Sequence, residues 1–287
     1  MDIGIGLPTT IPEVDGRVVV EWARAAEAHG FSSLGTIDRV VYGNYEPLIA
    51  LTAAAAVTER IRLITTVLLA PLRANSALFA KQAASLDRLS NGRLVLGLAV
   101  GGREDDYAAS GLDFHTRGKK FDAQLDDMKR IWAGEPRGTA GAIGPTPITH
   151  DGPTLLLGGQ SEASFRRVVQ YGSGWVAGGG GPDVFRQAAQ AVRTAWTAGG
   201  RSGQPRLVAL AYFSLGPQAK QHAESYLRDY YSFGPSFVDF VVQGALVSGE
   251  AVSAAKDAFA AAGCTELVYF PCNPDVGQVE QLAKILL

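Results

Sequence analysis

Two glycine runs carry the clearest chemical signal in this chain. Gly158-Gly159-Gln160-Ser161 and Gly178-Gly179-Gly180-Gly181 each close a short apolar run, and each leads into a helical pattern. Glycine lets backbone N–H groups approach an anion closely, and a helix N-terminus adds roughly half a positive charge. Together the two runs suit a phosphate. Each alone would also suit a tight turn, and Ser161 could be a hydroxyl donor or an N-cap. Asp38-Arg39 closes another apolar run. There Asp38 could position a substrate or a proton, or cap its own loop. Arg39 could stack on or pair with an acidic substrate, or form a structural ion pair with Asp38 or Glu46.

The rest of the inventory narrows the chemistry. Lys81, Lys119, Lys120, Lys129, Lys220, Lys256 and Lys284 all fall on helical patterns, so a Schiff-base lysine at a strand end is not expected. Of His29, His115, His150 and His222, none ends a strand pattern and none is paired at i, i+2 or i+4. No metal site is therefore expected. Cys264 and Cys272 lack metal-ligand spacing and read as free thiols of a reducing cytoplasm. No strand end offers a glutamate pair for glycoside hydrolysis. What remains is backbone, hydroxyl and apolar surface, a cradle for a planar cofactor that brings its own reactivity. The net charge of −2 makes no electrostatic case for nucleic acid or an anionic membrane. The segment Met1-Asp2-Ile3-Gly4-Ile5-Gly6 has no signal-peptide character, and no apolar run approaches the ~20 residues of a membrane span. The expected location is the cytoplasm.

These residues need elements to hold them. From Ile61 to Trp132 the chain reads strand, helix, strand, Gly-rich loop, long helix. The second of these strands, Leu94 to Val100, has no polar face, which means burial on both sides in a parallel sheet covered by helices. Further strands are expected at Ile3–Leu7, Ser33–Ile37, Ile61–Leu69, Thr154–Leu157, Gly174–Ala177, Arg206–Phe213 and Glu266–Phe270. Helical patterns separate them, among them Pro47–Thr58, Asn75–Leu89, Thr116–Trp132 and Glu162–Tyr171. A helical insertion rich in tyrosine and phenylalanine runs from Gln218 to Gly244. Eight alternating strands make an α/β fold, a (β/α)₈ TIM barrel with an insertion after strand seven, as a single domain over residues 1–287. A doubly wound sheet is the alternative, but no dinucleotide fingerprint follows the first strand.

The stretch Ala80-Lys81-Gln82-Ala83-Ala84-Ser85-Leu86-Asp87-Arg88-Leu89-Ser90-Asn91-Gly92-Arg93-Leu94, with Gly158-Gly159 and Gly172-x-Gly174-Trp175, resembles the bacterial luciferase-like monooxygenase superfamily. That superfamily places flavin or the deazaflavin coenzyme F420 on a (β/α)₈ barrel. The resemblance implies a non-proline cis peptide at Thr66-Val67, with Val67 against the back of the cofactor ring. Gly101 and the loop to Tyr107 would flank the ribityl chain. Gly158, Gly159, Gln160, Ser161, Gly178 and Gly179 would hold the phosphate, and Asp38 would lie near the ring. Many deazaflavin-dependent relatives carry Asp-His where this chain has Asp38-Arg39. Tyr42, Tyr45, Tyr107, His115, Tyr226, Tyr230, Tyr231 and Phe233 would wall the pocket or belong to the core. His115, the histidine nearest the expected mouth, is an acid–base candidate beside Asp38 and Arg39. The implied activity is a flavin-dependent monooxygenase using reduced FMN and dioxygen on a small organic, apolar substrate, with a separate flavin reductase as partner. F420-dependent hydride transfer and non-catalytic flavin binding are the alternatives. The Ala-rich helix from Pro47 and the helix from Asn75 are expected to form a homodimer interface.

Overall fold

All six residues of the strand Leu94–Ala99 are buried, and both of its faces are covered. The computed structural model describes residues 1–149 and 151–287; His150 and its expected place off the strand ends lie outside the described residues. The described strands are β1 (Asp2–Gly6), β2 (Ser33–Thr36), β3 (Arg62–Thr65), β4 (Leu68–Leu69), β5 (Leu94–Ala99), β6 (Thr154–Gly158), β7 (Gly174–Val176), β8 (Arg206–Phe213) and β9 (Glu266–Pro271). All pair in parallel, and β9 returns to β1. Both β3 and β4 pair with β5, so they are two halves of one barrel strand. The result is a closed eight-stranded (β/α)₈ barrel.

The third barrel strand departs from the uninterrupted Ile61–Leu69 run that its composition suggests. Leu63 pairs with Leu94, but Leu68 pairs with Leu98. One extra residue therefore lies on the β3–β4 side, a bulge that re-aims a side chain. The peptide Thr66–Val67 inside it is cis, where the family resemblance put it.

The helices are α1 (Gly16–Ala28), α2 (Pro47–Ala55), α3 (Ser76–Leu89), α4 (Glu104–Ala109), α5 (Arg117–Trp132), α6 (Glu162–Tyr171), α7 (Gly181–Ala198), α8 (Ala219–Tyr230), α9 (Pro235–Gln243), α10 (Gly249–Ala261) and α11 (Gly277–Leu286). Side chains of Asp15, Glu46, Asn75, Ser161 and Ser248 cap α1, α2, α3, α6 and α10. Each cap accepts a bond from one of the backbone donors that a helix start leaves without an intrahelical partner. Helix α2 ends three residues short of the expected Thr58, whose hydroxyl donates to the Ala54 carbonyl at 2.7 Å and turns the chain out. Helix α4 has no counterpart among the expected elements. It lacks apolar periodicity, and Glu104, Asp105 and Asp106 in its first turn are its local signal. The insertion is two helices, α8 and α9.

Apolar packing forms two bodies. One lies between strands and helices and includes Trp22, Phe79, Leu125 and Trp175. The other fills the barrel with Ile64, Val95, Leu156, Val176, Val208, Val268 and Phe270, and continues upward into Tyr212, Tyr226 and Tyr230. Gly6 makes room for Phe270, since a Cβ there would sit 2.3 Å from its ring. The loop from Gly134 to Pro153 lies against α3, where Asp87 accepts from the Ile148 N–H at 2.8 Å.

Candidate active site at the barrel mouth

The bulge presents one side chain to the open end of the barrel. Val67 is half-buried, whereas Leu63 to Thr66 and Leu68 to Pro71 are buried throughout. Backbone and hydroxyl bonds hold it: Thr66 N–H donates to the Thr36 carbonyl at 2.8 Å, and Thr65 Oγ1 donates to the Gly97 carbonyl at 2.7 Å. Only glycine fits position 97, because a Cβ there would lie 2.0 Å from the Thr65 oxygen.

Asp38 is part of the same support. It is buried, accepting from the Leu69 N–H at 2.8 Å and from the Arg73 guanidinium at 2.7 Å. Arg73 also reaches Glu46 at 2.5 Å. Burial opposes the Arg73 charge, but Asp38 and Glu46 outweigh it and raise its pKa. Arg39 takes neither of the two partners that the sequence offered. It binds Asp105 at 2.5 Å and lies 3.5 Å from Asp106, because Arg73 already occupies Asp38 and Glu46. Fully buried Asp106 in turn accepts from the Val40 and Val41 N–H groups at 2.9 and 2.8 Å. The strand-two loop is thus fastened to α4.

Gly101 has φ +72°, and a Cβ there would press on Leu69 at 2.8 Å. Tyr107 is not at a free surface. It is 1% exposed, and its hydroxyl donates to the Val100 carbonyl. Its side chain therefore braces the loop rather than facing a ligand. His115 is exposed, edge-on to Phe114 in a short 3₁₀ turn ahead of α5. The Tyr45 hydroxyl is taken up by the Val14 carbonyl, to which it donates at 2.7 Å.

The two glycine runs differ. At the first, Ser161 is the N-cap of α6, accepting from Ser164 N–H at 3.2 Å, and Gln160 is exposed. Gly159 has φ +112°, and its carbonyl accepts from the Trp175 indole at 2.8 Å. Gly158 packs closely: a Cβ would be 3.1 Å from both Val67 and Ala99. At the second run, Cβ atoms added at Gly178 and Gly179 would meet nothing within 4 Å. Helix α7 begins there with no side-chain cap, and Asp183 in its first turn is drawn to Arg186 at 2.6 Å. A cavity of about 350 Å³ opens beside this helix start, lined by Gly179, Gly180, Leu210, Tyr212, Tyr231 and Phe240 among others.

Helices α8 and α9 roof the mouth. The Tyr226 hydroxyl meets Thr10 Oγ1 at 2.6 Å, Tyr231 meets Tyr212 at 2.8 Å, and Tyr42 donates to Asp229. Burial pushes the Tyr212, Tyr226, Tyr230 and Tyr231 phenols up. They stay protonated and neutral. Sequence reading missed Arg73 and Thr10, and it included Arg103, Asp105 and Asp106 only as part of the Gly101–Tyr107 loop, without roles of their own. Arg103 had a local signal, since it follows Gly101-Gly102 directly at a strand end.

The chain belongs to the luciferase-like monooxygenase family, whose pattern it matches over residues 1–266. It is 34% identical over 197 residues to an uncharacterized protein of Mycobacterium tuberculosis H37Rv, spanning 59% of this chain and 68% of the relative. Its fold is similar to that of the monooxygenase RslO1 from Streptomyces bottropensis (TM-score 0.84, 22% identity, covering 100% and 98% of the two chains). An F420-dependent secondary alcohol dehydrogenase solved with an F420-acetone adduct has TM-score 0.80 at 15% identity, over 100% and 98%. The oxygenating constituent of 3,6-diketocamphane monooxygenase from Pseudomonas putida, solved with FMN, has TM-score 0.75 at 16% identity, over 99% and 96%. Among the described residues no helix is long and apolar enough to cross a membrane.

Proposed function

We propose that this protein is a flavin-dependent monooxygenase acting on a small organic substrate with reduced FMN and dioxygen. The observation that carries the reading is half-buried Val67 on its bulge, at the same end of the barrel as an uncapped helix start and two open glycines. The residues fit such a cofactor: Val67 would back the planar ring, and the Gly101 turn, packed on Leu69, would flank it. The α7 start with Gly178 and Gly179 would take the phosphate, with Gly158, Gly159, Gln160 and Ser161 on the neighbouring strand end. Reduced FMN supplies the electrons with which dioxygen is activated. The chain's own part is to hold, orient and exclude water. Asp38 and Arg39 are both spent on ion pairs, so their role in this reading is positioning. The tyrosine roof keeps solvent from the ring and offers neutral hydrogen-bond donors. F420-dependent hydride transfer is the second reading, favoured by the likeness to the alcohol dehydrogenase.

Anaerobic titration with reduced FMN and reduced F420 tests this. Micromolar or tighter binding of FMN alone is expected; preference for F420 moves the assignment to hydride transfer, and binding of neither overturns it. Gly179→Leu is expected to weaken FMN at least tenfold with an unchanged melting temperature, because its side chain enters open space rather than packed core.

The reading extends to a cytoplasmic homodimer supplied by a separate flavin reductase. A groove of about 840 Å³ runs between α2 and α3. Ile49, Leu78 and Leu89 stand exposed at 69%, 52% and 68%, an apolar surface suited to a second copy. Leu78→Glu is expected to convert a dimer to a monomer in sedimentation equilibrium. A monomeric wild type would sink the idea.

A further inference from the structure

The mouth holds two guanidinium groups in opposite electrostatic states. Arg39, 7% exposed, is neutralised by Asp105 and Asp106. Arg103, on the loop after β5, has no carboxylate partner among the described residues. It crosses to the roof, with its guanidinium carbon 3.8 Å from the Phe233 ring centre, 4.8 Å from Tyr230 and 5.4 Å from Tyr231. Among the described residues its guanidinium has one hydrogen bond, to the Tyr230 carbonyl at 3.3 Å. Burial, with Arg39 adding to the effect, lowers its pKa, yet an arginine stays charged at any working pH. A desolvated cation stacked on rings and lacking a counter-ion is costly, and an arriving anion relieves that cost.

Resting on the reading that the mouth holds a redox cofactor and its substrate, we infer that Arg103 binds an anionic group of the substrate, and that the substrate is a planar, apolar molecule bearing a carboxylate or phenolate. The roof supplies the apolar half of that recognition through ring faces. The Tyr212 and Tyr231 hydroxyls are paired with each other. The fixed fork of Arg103 supplies the charged half. The cofactor phosphate is the competing source of an anion. Arg103 does not line the cavity at the α7 start, where the uncapped N–H groups lie, so the geometry favours the substrate.

Full-length protein is titrated calorimetrically with 2-naphthoate and with its neutral isostere 2-naphthamide, with and without FMN. Wild type is expected to bind the carboxylate about tenfold tighter, and Arg103→Gln to abolish that preference while leaving amide binding and the melting temperature unchanged. Equal binding of the two probes by wild type, no naphthoate binding at millimolar concentration, or a preference surviving in Arg103→Gln each overturns the inference. A parallel titration compares FMN with riboflavin. If Arg103→Gln weakens FMN but not riboflavin, the anion is the cofactor phosphate and the inference falls. Wild type that binds no cofactor but still prefers naphthoate supports the Arg103 site and sinks the functional reading alone.

Discussion

Replacing Glu266 by alanine is expected to cost about 3 kcal/mol and lower the melting temperature by roughly 10 °C. Glu266 opens β9 at the end of the barrel away from the mouth and is fully buried. Its carboxylate accepts from Ser32 at 2.6 Å, Ser33 at 2.7 Å and Arg62 at 3.2 Å, and pairs with Arg206. These partners come from β2, β3 and β8 or their borders, so one side chain ties its own stave to three others, two of them across β1. Its removal leaves two guanidiniums without their shared counter-charge. The same site shapes acid stability. Burial raises the Glu266 pKa, but Arg206, Ser32, Arg62 and Ser33 together outweigh it and hold it below the ordinary 4.5. A carboxylate with a lowered folded-state pKa stabilises the fold above its unfolded value and loses that contribution as pH falls through the lowered one. Thermal melts of wild type should therefore drop as pH falls below about 4.5, and Glu266→Gln should flatten that part of the profile. A wild-type-like melt in the alanine variant would disprove the account.

Asp38→Ala is expected to act on both stability and cofactor binding. The loss strands the Leu69 N–H, buried in β4, and leaves Arg73 with Glu46 alone. An unsatisfied buried donor and a half-orphaned guanidinium together cost about 3 kcal/mol. Because Leu69 anchors the strand that carries Val67, FMN binding should weaken at least tenfold in the same titration. Asp38→Asn keeps an acceptor for Leu69 and removes the ion pair, so it should restore flavin binding further than it restores the melting temperature. If Asp38 acted directly in the reaction, Asp38→Asn would lose turnover with both of those readouts unchanged.

What the sequence conveyed and what it withheld follow from the range of the forces involved. Strand β8 and helix α6 were legible to the residue, because Arg206–Phe213 and Glu162–Tyr171 are bounded by local turn and cap chemistry. The parallel barrel was legible in Leu94–Ala99, since a strand without a polar face must be covered on both sides. The bulge was not. Nothing in the pattern Ile-Thr-Thr-Val-Leu announces an extra residue, and only the family resemblance pointed to Thr66–Val67. Ion-pair partners were the least legible. Arg39 had Asp38 beside it in sequence and Glu46 close by, yet pairs with Asp105 and Asp106. Arg73, 35 residues from Asp38, takes the nearer acids. Such choices depend on which loops the barrel brings together, and a linear chain does not display them. The glycine runs looked alike, but only the structure shows Ser161 already engaged as a cap while the α7 start stands open.

The hydroxyl contacts of α8 bear on how such a barrel changes over generations. In the proposed reading, the floor beneath the ring is written in the segments around Val67, Gly101, Gly158 and Gly179. The roof is written in one continuous stretch, α8 to α9. The two meet through hydroxyls, Tyr226 to Thr10, Tyr231 to Tyr212 and Tyr42 on Asp229, and through Arg103 against the rings of Phe233, Tyr230 and Tyr231. Because the roof is one continuous segment, it can change as a unit provided that Thr10, Tyr42, Arg103 and Tyr212 keep partners on it. On that reading, the molecules admitted would be set by the roof and the redox group by the floor, so substitutions in α8 and α9 would alter the first more than the second.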